Sequence, residues 1–270
     1  MVNNLRKIGK GYLVGFSMLV LVSLLGWHKP IELKIYDLFL KTRPKTPFSE
    51  SVIVLEIEEE VKEDGLWPWR EEWLPYLINY LSGLGVKTIL VDSSLEQYLN
   101  PEHPVIKSLQ AKVQIFYPQK NSSELIKKDL IIDSDGKIRR YRLFTNGEKS
   151  LILQTFLAYR KQNLPFSLPK DFWIVYNKNK NSGWGKYTYF DLVISMFLSS
   201  RQEPAKIDFS RFKDKICIIS LSPSVLGEFY PTPLGMKSPL EIRLQVLDNL
   251  LQDDLLLSLN KWENTGILLL

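Results

Sequence analysis

Carboxylates, hydroxyls and guanidinium groups are the reactive types this sequence supplies in number, because it holds only two histidines and one cysteine. His28 sits beside an apolar N-terminal run and His103 lies in "NPEHPV". A two-histidine zinc helix is therefore excluded, and a Ser-His-Asp triad would have to be built on His103. Cys217, inside "KICIISL", reads as a small core residue and leaves the redox compartment open. The serines of "SLSPS" have no Gly-x-Ser-x-Gly elbow around them, and the chain has no glycine-rich phosphate loop. "DSDG", residues 133 to 136, lacks the third acidic position and closing glutamate of a calcium loop and reads as a hairpin turn. No metal and no cofactor is expected.

The polar residues that remain fall where apolar runs end. "SVIVLEI", 51 to 57, leads into Glu58 and Glu59; "VKTILVD", 86 to 92, ends in Asp92 with Ser93 and Ser94 behind it; "KDKICIISL" carries Ser220 and is followed by Ser222 and Ser224. Ligands of open α/β sheets lie beyond the carboxyl ends of parallel strands. Were these three runs neighbouring strands, their acids and hydroxyls would converge on one edge, where they can accept a cation or a polyol. The structural alternative is that Asp92 and Ser222 cap helices or turns.

The acidic run "EIEEEVKED" reads as a solvated face. Just after it, "EDGLWPWREEWLPYL" sets Trp67 and Trp69 around Pro68. A tryptophan pair on a rigid proline is either a plug that closes the domain or one wall of a pocket. Arg70 can clamp an anion or pair with the acidic run.

These residues need elements to hold them. The runs at 51–57 and 86–92 and "KVQIFYP" alternate with helical patterns at 71–83 and 103–110, giving a βαβαβ unit. "DLIIDSDGKIRRYRLF", 129 to 144, is strand, turn, strand, with Asp135-Gly136 as a turn pair able to take positive φ. "KSLILQTFLAYRKQ" is a helix, "FWIVYN" a strand, and a helix begins near 189. "KDKICIISL" is a strand, 222–239 a loop rich in Pro, Ser and Gly, and 240–252 the last helix. The fold class is α/β: a mainly parallel sheet flanked by helices, with a β-hairpin in the middle.

Composition is that of a globular protein, 45% hydrophobic and 24% charged, with a net charge of +5 spread too thinly for a nucleic-acid stripe. "GYLVGFSMLVLVSLLGW", 11 to 27, has no charge and as a helix spans roughly 26 Å, enough for a short membrane crossing. Arg6, Lys7 and Lys10 also suit a signal peptide, but the segment has no alanine for an A-x-A cleavage site, which favours an uncleaved anchor. A buried core helix is the third reading. Basic residues flank the run on both sides, so they do not orient it. Residues 31–43, "IELKIYDLFLKTR", read as an amphipathic helix leaving the membrane, and the chain closes on "TGILLL", 265 to 270.

Taken in order, "IYDLFLKTR", "VLEIEEE", "WPWR", the strand ending in Asp92, "DSDGKIRRYRL", "YTYFDLV" and "KDKICIISLSPS…TPLG" resemble the second CHASE family. These are the extracellular sensory domains associated with cyclases and histidine kinases. The most specific piece is the Asp-Gly-x-x-Arg-Arg hairpin. The sequence departs from the family pattern at four positions: Glu228 stands four residues before Thr232 where Asp is common, Pro239 replaces a glycine, Arg243 a histidine, and Ser220 a strand-end glycine.

The resemblance implies a division into tail and anchor (1–28), an extracytoplasmic sensory domain (29–264) and the start of a further membrane helix (265–270). It implies a non-enzymatic module in the cell membrane, its soluble part periplasmic or extracellular. It also implies a fused or partner kinase or cyclase; the other partners expected are a small ligand or stimulus and a second copy in a homodimer, while the thin spread of charge speaks for no nucleic acid. Candidate ligand-binding residues are Glu58, Trp67, Trp69, Arg70, Asp92, Ser220, Ser222, Glu228 and Arg243. The rival readings are a membrane-anchored hydrolase using the strand-end carboxylates as general acid and base, and a structural dimerisation domain.

Overall fold

Runs with no polar alternation belong in a sheet covered on both faces, and that is where these lie. In the computed structural model, which describes residues 29–58, 73–118, 129–161, 168–178 and 184–257, the strands β1 (Val52–Ile57), β2 (Thr88–Val91) and a third, Ile216–Leu221, are buried at every position. Numbered along the chain, the other strands are β3 (Gln114–Phe116), β4 (Leu130–Ile132), β5 (Ile138–Arg142), β6 (Phe144–Thr145), β7 (Glu148–Lys149), β8 (Asp171–Trp173) and β9 (Gly185–Thr188). Ile216–Leu221 is β10, and β11 (Tyr230–Thr232), β12 (Gly235–Lys237) and β13 (Leu256–Leu257) follow it.

The parallel sheet has five strands in the order β3-β2-β10-β1-β9. The expected βαβαβ unit is present, but β1 and β2 do not touch. The last strand of the sheet to be reached along the chain, β10, lies between them.

The chain divides into two compact units, Met1–Pro44 with Leu257–Leu270, and Lys45–Leu256. The first contains α1 (Lys29–Thr42), the helix expected at 31–43. Its last turn is closed by the Thr42 hydroxyl, which lies 3.1 Å from the carbonyls of both Leu38 and Phe39. The apolar run 11–27, the Trp-Pro-Trp loop and "TGILLL" lie outside the described residues. Among the described residues no helix is long and apolar enough to cross a membrane, so the expected N-terminal span gains no support from them.

In the second unit, alternate strand residues face opposite ways. Ile53, Leu55 and Ile57 join Ile89, Val91, Cys217, Ile219 and Leu221 in one apolar cluster. Helices α2 (Trp73–Gly83), α3 (Pro104–Leu109) and α5 (Tyr189–Ser200) cover it through Leu74, Ile78, Leu81, Ile106 and Leu192. Cys217 is free and buried there, its thiol pushed up to about 12 by burial, which makes it the inert core residue expected. On the other side α4 (Leu151–Arg160) packs on β2 and β3 and against α7 (Pro239–Leu251). A short helix, α6 (Pro223–Leu226), and the β11–β12 hairpin occupy the stretch 222–239 expected to be a loop.

β4, β5 and β8 form an antiparallel sheet. "FWIVYN" is strand only to Trp173, for a definite reason. Beyond it the Ile174 N–H still donates to the Arg139 carbonyl of β5 at 2.8 Å, while Val175 and Asn177 are bonded by side chains of α7. Asn249 accepts from the Val175 N–H at 2.9 Å and donates to the Val175 carbonyl at 3.0 Å. Gln245, one turn earlier on the same face, accepts from the Asn177 N–H at 2.9 Å. The buried amides of α7 thus do the work of a ladder.

Candidate functional site

Strand β10 brings the two predicted strand ends together. Asp92 follows β2 directly, and its N–H donates to the Ile219 carbonyl of β10 at 2.8 Å. Its Oδ2 accepts from the Ser94 N–H at 3.1 Å and so caps a 3₁₀ turn over Ser93–Tyr98. Ser94 Oγ accepts from the Leu221 N–H at 3.1 Å and lies 3.3 Å from Ser220 Oγ. The Ser220 hydroxyl is also 3.5 Å from Asp92 Oδ2. Asp92, Ser94 and Ser220 therefore meet at one point of the sheet edge.

The cation there comes from α7. Ser238 caps this helix: its Oγ accepts from the Glu241 N–H at 3.2 Å while Glu241 accepts from the Ser238 N–H at 2.8 Å. Pro239 occupies the first helical position, where its missing N–H costs nothing. That start aims Arg243 at the strand ends. Arg243 Nη1 donates to Asp92 Oδ1 and, at 3.2 Å, to Ser93 Oγ. Arg243 is 7% exposed and Asp92 5%, so this is an ion pair withdrawn from solvent.

A second acid stands near the same guanidinium. Asp129 accepts from the Tyr141 hydroxyl at 3.2 Å and from the Thr145 hydroxyl at 3.1 Å. Burial raises its pKa to about 6, against opposing pulls from those two hydrogen bonds and from the charges of Arg243 and Arg142.

Of the other described candidates, none is bonded to Arg243. Ser222 caps α6, accepting from the Ser224 N–H at 3.3 Å, and its own N–H donates to the Ile57 carbonyl at 2.8 Å. The capping reading of Asp92 and Ser222 thus holds, while Asp92 also pairs with Arg243. Glu58 is half-buried at the end of β1 and Glu228 is exposed after α6. Trp67, Trp69, Arg70 and Glu59 lie outside the described residues. Glu56, one step inside β1, is buried and paired with Lys186 of β9 at 2.8 Å.

Sequence reasoning saw only a turn in "DSDGKIRR", yet this hairpin is an ionic network. Asp133 N–H donates to the Lys137 carbonyl and Gly136 N–H to the Asp133 carbonyl, both at 2.9 Å, which closes a three-residue loop. Of the expected turn pair only Gly136 takes positive φ, 80°. The loop returns Arg139, 1% exposed, onto Asp133 at 3.1 Å, and Arg140 reaches Asp133 at 2.5 Å. Asp135 receives the other edge of Arg139 and is held well below the usual carboxylate range, at about 2, mainly by that bond. The available signal was the pairing of two acids before the glycine with two arginines after it.

The CHASE2 domain model matches residues 14–270. The chain belongs to the CHASE2 family. No curated protein and no solved structure matches it. CHASE2 domains are extracellular sensory domains, and that class fits binding rather than catalysis. In this CHASE2 domain the Asp-Gly-x-x-Arg-Arg hairpin is a charge network built on buried Arg139 and Asp133. The departures Ser220 and Arg243 sit together at the strand ends, both in contact with Asp92.

Proposed function

We propose that the protein is a membrane-anchored sensory module outside the cytoplasm, which receives a small ligand or stimulus at the ends of β2 and β10 and passes the signal to a fused or partner kinase or cyclase. The observation that carries this reading is the buried Arg243–Asp92 pair. It ties the middle of the parallel sheet to α7, the helix whose amides hold the segment after β8. A change at the pair is therefore positioned to shift α7 against both sheets. The charge-free run 11–27 supports the anchor, and family membership supports the side of the membrane.

Two measurements test the reading. Alkaline phosphatase joined after residue 257 is active only if that point is outside the cytoplasm; an inactive fusion overturns the location. Residues 1–270 joined to the transmitter half of a membrane histidine kinase should give a kinase whose output changes in a folded Arg243→Lys variant. Unchanged output in that variant removes the strand ends from signalling.

A further inference from the structure

Arg139 and Arg243 are both buried arginines, but they are used differently. Arg139 has both terminal nitrogens engaged, Nη1 by Asp133 and Asp135 and Nη2 by Asp135. Among the described residues Arg243 makes its bonds, to Asp92 and Ser93, from Nη1 alone. Its Nε is buried and has no hydrogen-bond partner among the described residues. A guanidinium presents Nε–H and Nη2–H side by side as a planar fork, the geometry that matches the two oxygens of a carboxylate or phosphate. Leaving a charged donor buried without an acceptor is costly, so the position is one that an acceptor would stabilise.

We infer that the Nε–Nη2 edge of Arg243 is the receptor group for a small oxyanion, a carboxylate or a phosphate. The inference rests on the strand-end site proposed above and gives it a ligand class. Asp92 orients the fork from behind: its Oδ1 takes Nη1, while its Oδ2 takes the Ser94 N–H and faces the Ser220 hydroxyl. Those contacts occupy both oxygens of Asp92, which argues against a cation as the ligand. Asp129, another carboxylate in electrostatic reach, directs its oxygens to Thr145 and Tyr141, and burial disfavours its charge. Neither acid takes up the Nε edge. Ser93, half-buried at the rim, accepts from Arg243 and keeps its own proton to donate.

The test is titration calorimetry on the full chain in detergent micelles. Sodium acetate is the carboxylate arm, inorganic phosphate the phosphate arm, and sodium chloride at matched ionic strength the control. The expected result is saturable one-site binding of acetate or phosphate but not chloride, weakened at least tenfold in Arg243→Lys, which keeps the charge and loses the fork. Equal binding by the wild type and Arg243→Lys overturns the inference, as does the absence of saturable binding in both arms.

Should the lysine variant unfold, the Nε–H resonance of Arg243 in arginine-labelled wild-type protein decides. Movement with acetate or phosphate beyond the chloride control supports the site, and a stationary resonance overturns it. Failure here leaves the sensory reading standing if the kinase fusion still responds to substitution at this position. A silent fusion with intact anion binding overturns the sensory reading alone.

Discussion

Arg139 grips Asp135 across the β4–β5 loop through two parallel hydrogen bonds, Nη1 to Oδ1 at 2.7 Å and Nη2 to Oδ2 at 2.6 Å. The same guanidinium lies 3.1 Å from Asp133, whose side chain is 2% exposed. A buried pair broken on one side leaves an uncompensated charge, which typically costs about 3–5 kcal/mol. Arg139→Met should therefore destabilise by that order in urea unfolding, whereas Arg140→Met, on a side chain 31% exposed, should cost less.

Asp135 supplies a pH signature. Its folded pKa is lowered to about 2, chiefly by the Arg139 bond, from an ordinary value of 3.8. The unfolded chain thus binds more protons between these values, and stability rises with pH there. The contribution is present above about pH 4 and is lost as pH falls toward 2. Asp135→Asn should flatten that part of a stability-against-pH curve and leave the slope above pH 5 unchanged.

Asp129 has the opposite sign. Burial raises its folded pKa to about 6, so the folded state holds a proton that the unfolded state has released. Stability from this group is full below about pH 4 and falls as pH rises through 6. Asp129→Asn should stabilise at pH 7 by up to roughly 2–3 kcal/mol and give no gain at pH 3.5. Paired thermal melts at the two pH values check it.

Asn249 holds the segment after β8 with one donor and one acceptor. Asn249→Leu keeps the branched shape, although it is bulkier, and strands both backbone groups of Val175, at a cost of about 2–4 kcal/mol. Amide exchange at Val175 should accelerate more than exchange in β1 or β10.

Gly136 takes φ of 80°, and a Cβ there would meet nothing within 4 Å. Gly136→Ala therefore incurs only the backbone penalty, about 1 kcal/mol. Gly136→Asn should cost less, because Asn tolerates the left-handed region better.

The strands β1, β2 and β10 were legible because burial on both faces leaves an unbroken apolar run. Their spatial order was not, since periodicity carries no information on which strand inserts between two others. "FWIVYN" looked like strand to its end because an apolar extended segment reads alike whether its partners are a neighbouring strand or the amides of Gln245 and Asn249. β11 and β12 were hidden by their shortness and by Pro231. At the site, Asp92 and Ser220 followed from the strand-end rule, and Arg243 from the family resemblance alone. Its pairing with Asp92 could not be read, because α7 reaches that edge only through the fold. Asp129 and the Arg139 network were missed for the same reason: charges near a turn look solvated until the sheet closes over them.

The placement of β10 also governs when the molecule can form. Val52 and Thr88 each find their neighbour in Ile216, so the two halves of the sheet cannot join until the chain beyond residue 221 is available. A nascent chain that has emerged only through β9 carries two buried-type strands with open edges facing each other across a missing one. Such non-local closure is slow, and unpaired strand edges invite aggregation while it waits. Assembly is thus a late event, set by when β10 becomes available. Chains stopped before residue 216 should accumulate as insoluble material, where chains reaching residue 257 do not.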